Sequence, residues 1–246
     1  YHARRHVGFW RHLVVREGKR TGQILVNLVT HAGTLPNQQR IVQDLTAEFA
    51  NVRSIVRTIN TGRAMIATGE SEEVLHGPGA IEDEVGGLRF AISTASFFQP
   101  NPEQASRLFA LVAEWAELRG DEEVLDLYAG TGAIALTLAR AARRVTGIEQ
   151  VRAAVADAER NAALNQIDNC RFVAADVRTY LQQVDSRDVG LVIADPPRAG
   201  LHPDVVEVLR RTRPERLLYV SCNPSTLARD LRLLPPGRAR RQGDAG

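Results

Sequence analysis

The sequence predicts an α/β fold in which a doubly wound parallel sheet follows a small α+β domain, and three patterns carry that expectation. From Pro102 onward, short β-branched runs alternate with helical segments, the signature of a parallel sheet with crossover helices. The first of those runs ends in a Gly turn that opens a helix, as at the ligand-binding edge of such sheets. The first ~90 residues lack this alternation and show two strand-like runs around one helix.

Taken in order, Gly22 to Thr30 alternates β-branched residues as a strand does, and Leu35 to Phe49 places Ile41, Leu45 and Phe49 at helical spacing. Asn51 to Asn60 returns to strand, and Gly62 to Gly87 reads as a Gly-dotted run of turns. A helix is expected over Glu103 to Leu118, a strand over Glu123 to Tyr128 and a helix over Ala133 to Ala142. Val145 to Glu149, Cys170 to Asp176, Val189 to Asp195 and Arg216 to Ser221 predict four further strands. The domains are placed at residues 1–92 and 93–246.

Composition narrows the function classes. An apolar content of 44% in 246 residues can fill a core, and a formal net charge of +2 permits a nucleic-acid partner without demanding one. Cys170 and Cys222 are too few for a disulfide framework, a four-thiolate metal site or an iron–sulfur cluster. No metal is expected, and a reducing, cytoplasmic setting is. No run approaches the ~20 apolar residues of a membrane span, and no apolar h-region follows the N-terminus, so neither membrane nor export is expected. The chain lacks an initiator Met and closes on the polar run Pro235 to Gly246; both ends read as cuts or frayed tails.

Every candidate site residue falls at the end of a strand. Asp126 to Gly132 (DLYAGTG) leaves the first strand of the sheet for a helix, so backbone amides can approach a ligand there. Glu149 ends the next strand, where a carboxylate can accept ribose hydroxyls, and Asp176, closing the third, can face an adenine edge in the same way. Singly, each acid reads as well as a helix cap or a solvated strand end. Both NAD and S-adenosylmethionine fit this much.

The fourth and fifth strands run into Asp195-Pro196-Pro197-Arg198-Ala199-Gly200 and Tyr219-Val220-Ser221-Cys222-Asn223-Pro224. A carboxylate on a rigid D-P-P segment sits over the reactive end of a cofactor in many nucleobase methyltransferases. Most free cysteines are small buried hydrophobes, and Cys170 fits that reading; Cys222 sits instead among Ser, Asn and Pro. Uracil C5 is too weak a nucleophile to take a methyl group unaided, but a thiolate added at C6 creates an enolate with charge density on C5. A base must then remove the C5 proton, and a group near O4 must support the enolate.

Here the sequence resembles the RNA uracil-5 methyltransferases, the family of the tRNA and 23S rRNA m5U enzymes. The residues that carry the likeness are Ser96-Phe97-Phe98-Gln99-Pro100-Asn101, the DLYAGTG loop, Gly147-Ile148-Glu149, the DPPRAG segment and the SCNP segment. The resemblance implies a Rossmann-like S-adenosylmethionine-dependent methyltransferase sheet. It also implies that Gln99, Tyr128, Glu149, Asp176 and Asp195 line the cofactor site and that Cys222 is the nucleophile. Ala133 stands where some relatives carry Asn, which removes one contact. Arg53-Ser54-Ile55 is similar to the family's central domain, which helps to hold RNA. Arg11 to Gly18 (RHLVVREG) looks more like the 23S rRNA enzymes than the tRNA enzymes, so ribosomal RNA is the expected partner of a monomeric protein.

Three departures accompany the likeness. The RNA-binding β-barrel and the iron–sulfur cysteines that usually begin the rRNA members are lacking. The family's general base is a Glu beyond the nucleophile, yet Glu215 is the last Glu here, and only Asp230 and Asp244 follow Cys222. The sheet's closing antiparallel strands are also missing, so the chain reads as truncated. A thiol attacking C6 requires an unstacked uridine turned into a cleft between the domains, with Arg4, Arg5, Arg11, Arg53, Arg57, Arg63 and Arg198 as candidate phosphate contacts. The competing readings are a small-molecule methyltransferase or dehydrogenase, in which Cys222→Ser would be tolerated, and a non-catalytic binder of RNA and cofactor.

Overall fold

The chain divides into two units, Tyr1–Glu103 and Gln104–Gly246; the sequence placed the break after residue 92. The computed structural model describes all residues except Ala3, His6, 95–97, Pro100, 184–188 and 235–246. The polar run Pro235 to Gly246 with Asp244, and the Ser96, Phe97 and Pro100 positions of the SFFQPN motif, therefore lie outside the described residues.

In the first unit, β1 (Trp10–Glu17), β2 (Ile24–Thr30), β3 (Val52–Ile59) and β4 (Ser71–His76) form one sheet in the order β1-β2-β3-β4. β2 and β3 are parallel, which requires a crossover, and α1 (Gln38–Glu48) supplies it. Ile41, Val42 and Leu45 of α1 pack onto a core of Val26, Leu28, Leu35, Val52 and Ile55. β5 (Ala80–Val85) and β6 (Leu88–Ser93) make a hairpin whose Gly86 and Gly87 both have positive φ, as a two-residue primed turn demands. The expectation of turns over Gly62 to Gly87 is corrected here, because that stretch holds β4 and β5. β4 is a polar edge strand (SEEVLH), mostly exposed, and so carries no alternating apolar signal.

Two arginines expected among the phosphate contacts turn inward instead. Arg11 donates to the carbonyls of Asn60, Gly62 and Ala64, and Arg57 to Thr30 Oγ1, the His31 and Gly33 carbonyls and Glu73. Both are buried and tie loops to the sheet, whereas Arg4, Arg5, Arg53, Arg63 and Arg198 are exposed.

In the second unit, α2 (Pro102–Ala116) buries Ala105, Phe109, Val112 and Ala116 along one face. Five parallel strands follow: β7 (Glu123–Leu127), β8 (Arg144–Glu149), β9 (Cys170–Ala174), β10 (Leu191–Ala194) and β11 (Leu217–Tyr219). Their order is β11-β10-β7-β8-β9, so the chain starts in the middle, winds outward one way, then crosses back. The crossovers carry α3 (Ala133–Ala139), α4 (Arg152–Leu164), α5 (Val177–Gln183) and α6 (Pro203–Thr212), and α7 (Pro224–Leu233) follows β11. Leu125, Leu127, Ile148, Val192 and Ala194 from the sheet pack with Val177, Leu181, Val205 and Leu209 from α5 and α6. Among the described residues no helix is long and apolar enough to cross a membrane.

Candidate cofactor-binding and nucleophile site

The reversal of strand order at β7 opens a crevice at the carboxyl ends of the strands, where ligands of such sheets bind. Across the sheet, from one edge to the other, those ends present Cys222 after β11, Asp195 after β10, the DLYAGTG loop at β7, Glu149 at β8 and Asp176 after β9. Five of the six residues singled out from the sequence, namely Tyr128, Glu149, Asp176, Asp195 and Cys222, thus share one edge of one sheet. Gln99, half-buried, belongs to the first unit.

The loop is shaped by its neighbours. Gly132 has φ 83° and starts α3, and a Cβ on Gly132 or Gly147 would lie 2.7 Å or 2.6 Å from the ring of Phe172. Gly130 (φ 54°) has nothing within 4 Å of that position, which leaves open space at the turn. Tyr128 is also left-handed, with φ 65°, an uncommon conformation for a bulky residue. Burial, and secondarily the nearby Asp176, push its hydroxyl up to about 12.

The acids differ in how they are held. Glu149 accepts the amides of Gly130 (3.0 Å) and Val151 (2.8 Å), so it braces the Gly loop against the start of α4. Asp176 caps α5 through the amides of Arg178 and Thr179 and pairs with both Arg178 Nε and Nη2. Its bonds to the two amides make it a helix cap, and the Arg178 side-chain hydrogen bond lowers its pKa. Asp195 is half-buried, and burial pushes its carboxyl up to about 6.

Sequence reasoning quoted Asp126 only as part of a loop motif and assigned it no role. It is 1% exposed, and neither carboxylate oxygen has a hydrogen-bond partner; the Ala135 amide points toward it without reaching hydrogen-bond geometry. Burial first, then the neighbouring Asp195 and Glu149, raise it to about 8. Its only sequence signal is an acid inside an apolar strand just before a Gly loop. A buried carboxyl without a partner, with Asp195 and Glu149 near enough to raise it further, favours a cation.

Cys222 is exposed, while Cys170 is half-buried, lies 3.6 Å from the Ala135 carbonyl and is pushed by burial up to about 12. Ser221 Oγ and the Asn223 backbone exchange hydrogen bonds around Cys222. Asn223 caps α7 by accepting the Ser225 amide and donates to the Arg198 carbonyl (3.2 Å). The thiol segment is therefore fastened to the DPPRAG loop. Among the described residues no group of three or more His, Cys, Asp and Glu is placed to hold a metal ion.

The model of the tRNA (uracil-5-)-methyltransferase family matches residues 20–238. An uncharacterized RNA methyltransferase of Bacillus cereus is 39% identical over 244 residues, which cover 98% of this chain and 53% of that protein. Another, from Enterococcus faecalis, is 42% identical over 239 residues, 96% of this chain and 52% of its own length. The crystal structure of Pyrococcus abyssi tRNA (uracil-54, C5)-methyltransferase in complex with S-adenosyl-L-homocysteine superposes with a TM-score of 0.76 at 37% identity, covering 93% of this chain and 54% of that one. A putative SAM-dependent methyltransferase from Streptococcus mutans, at TM-score 0.53 and 16% identity, shares the fold alone. The chain spans about half the length of the curated relatives it matches.

Proposed function

The chain belongs to the tRNA (uracil-5-)-methyltransferase family, and from that premise we propose that it methylates C5 of a uridine in RNA with S-adenosylmethionine, using Cys222 as the nucleophile. The observation that carries the reading is the order of groups along one sheet edge: a thiol at one end, acids suited to a nucleoside at the other, and between them the buried, unpartnered Asp126 beside the half-buried Asp195. The charge of that middle section fits the donor. A sulfonium and an ammonium suit Asp126 and Asp195, whereas the pyrophosphate of NAD would meet two carboxylates there.

In this reading Glu149 and Asp176 hold the nucleoside part of the cofactor, Gly130 gives it backbone access, and Asp126 and Asp195 face its cationic end. Gln99 is proposed as a further cofactor residue, on the family resemblance of its motif alone. When bound, S-adenosylmethionine supplies an electrophilic methyl group. Cys222 Sγ, as the thiolate, would add to uracil C6; the C5–C6 π electrons move toward C5 and O4, and C5 takes the methyl carbon as the sulfonium S–CH3 bond breaks, its electron pair returns to sulfur and S-adenosylhomocysteine leaves. Loss of the C5 proton then returns electrons to C5–C6 as the C6–S bond breaks and the thiolate leaves. Asp230, the one carboxylate among the described residues after Cys222, is buried and engaged by Tyr219, Leu201 and Arg229, so it is not the acceptor of that proton.

Ribosomal RNA is the proposed substrate class, on the likeness of Arg11 to Gly18 to the 23S rRNA enzymes. Transfer RNA is the second reading, favoured by the 37% identity to an enzyme of tRNA uracil-54. Incubating the protein with labelled S-adenosylmethionine and either 23S rRNA or tRNA transcripts, followed by nucleoside mass spectrometry, tests both. Methyl label in 5-methyluridine from one RNA, lost in Cys222→Ser, is the expected result. Label in a small molecule or in another nucleoside, or turnover that survives Cys222→Ser, contradicts it.

A further inference from the structure

The loop after β10 is held almost entirely by α7 and its cap. Asn223 Nδ2 and Thr226 Oγ1 donate to the Arg198 carbonyl (3.2 and 3.4 Å). Arg229 Nη2 donates to the carbonyls of Ala199 (2.9 Å) and Leu201 (3.4 Å). Asp230 gathers the remainder. Its Oδ2 accepts the Leu201 amide at 2.8 Å and the Tyr219 hydroxyl at 2.6 Å, and its Oδ1 accepts Arg229 Nε at 2.8 Å. Gly200, at φ 79°, is pressed against this pair: a Cβ there would lie 2.6 Å from both Arg229 Nη2 and Asp230 Oδ2.

These bonds link two segments that are distant in sequence. Tyr219 ends β11 just before the SCNP segment, and Leu201 ends the DPPRAG loop. The strand ends themselves are fixed independently, because Asp195 N–H donates to Leu127 (3.4 Å) and Val220 N–H to Ala194 (2.9 Å). What the sheet does not fix is the span from Pro197 to Leu201 and the span from Ser221 to Asn223. We propose that Asp230 is a positioning residue, which by holding Leu201 and Tyr219 on one carboxylate oxygen sets the DPPRAG loop against the Cys222 segment and so places the thiol for attack. The role rests on the functional reading above.

A carboxylate that is 1% exposed and yet accepts three protein donors is committed to its geometry. Because Asp126 and Glu149 lie on β7 and β8, away from α7 in the sheet order, and Asp195 is tied to β7 through its own N–H to Leu127, loosening the clamp disturbs the thiol side and leaves the cofactor acids in place. That separation distinguishes positioning from plain stability.

The test is the rate of covalent adduct formation with a 5-fluorouridine RNA and S-adenosylmethionine, beside S-adenosylhomocysteine affinity and melting temperature. The proteins compared are the unmodified chain, Asp230→Asn and Tyr219→Phe. Asn keeps an acceptor oxygen but loses the charge that orders Arg229, and Phe deletes one arm with little change of shape. The expected result is adduct formation at least tenfold slower in Asp230→Asn and several-fold slower in Tyr219→Phe, with cofactor affinity within twofold. Unchanged rates in both variants, or rates that fall only in proportion to cofactor affinity and melting temperature, overturn the positioning role. An unmodified protein that forms no adduct overturns the functional reading itself.

Discussion

Asp126 and Asp230 are equally buried, each 1% exposed, and their acidities move in opposite directions. Asp230, at the clamp between α7 and the DPPRAG loop, is lowered because the Tyr219 hydroxyl, the Leu201 amide and Arg229 together outweigh its loss of water. Asp126, beside the Gly loop, is raised to about 8 because burial and two neighbouring carboxylates act on it with no formed hydrogen bond in return. Burial alone therefore does not decide what a buried carboxylate does. The engaged one ties α7 to the loop after β10; the unengaged one is left without a partner, and in the proposed reading the cationic end of the cofactor supplies it.

Substitution separates the two most sharply. Asp230→Ala leaves a buried amide, a hydroxyl and a guanidinium without their shared acceptor, and should lower unfolding free energy by about 3–5 kcal/mol, read by urea denaturation. A loss below about 1 kcal/mol would break the comparison. Asp126→Asn should act in the opposite sense. With its carboxyl raised to about 8 in the fold from an ordinary 3.8, the native state keeps a proton that the unfolded chain releases, so stability declines as pH rises from about 4 to about 8. Asn cannot ionise, so the variant should gain on the order of 1–3 kcal/mol at pH 8 and nothing below pH 4. It should also bind S-adenosylmethionine about tenfold more weakly at pH 8. A variant destabilised at pH 8 would show Asp126 to be structural.

The smallest of these effects is also the easiest to read. A cationic ligand favours ionised Asp126 and Asp195, whose carboxyls are raised to about 8 and about 6. Affinity for S-adenosylmethionine measured by calorimetry should therefore tighten by about tenfold, roughly 1.4 kcal/mol, between pH 6 and pH 8.5. That slope should shrink in Asp126→Asn. A flat profile would mean that the ligand's charge lies elsewhere.

How far the sequence carried these distinctions depends on the kind of signal each residue leaves. The parallel sheet was legible because each buried strand is a short apolar run with a chemically distinct end, and Cys222, Asp195 and Glu149 were legible as those ends. β1, β4, β5 and β6 were missed: β4 is an exposed polar edge strand, and β1 points Leu13 and Val15 outward while burying Arg11. Arg11 and Arg57 looked like phosphate ligands because composition cannot tell a guanidinium that meets backbone carbonyls from one that meets RNA. Asp126 was hidden inside a glycine motif. Asp230 resembled a stray acid in an unassigned segment, since its partners Leu201 and Tyr219 lie 29 and 11 residues away.

The central claim, that Cys222 forms a bond to uracil C6 on this sheet edge, is tested most directly on a denaturing gel after incubation with S-adenosylmethionine and a 5-fluorouridine RNA hairpin. Fluorine at C5 cannot leave as a proton, so the covalent complex should persist as a slower band in the unmodified protein and be absent from Cys222→Ser. A shift that survives Cys222→Ser, or no shift from a protein that binds the cofactor, would contradict the account.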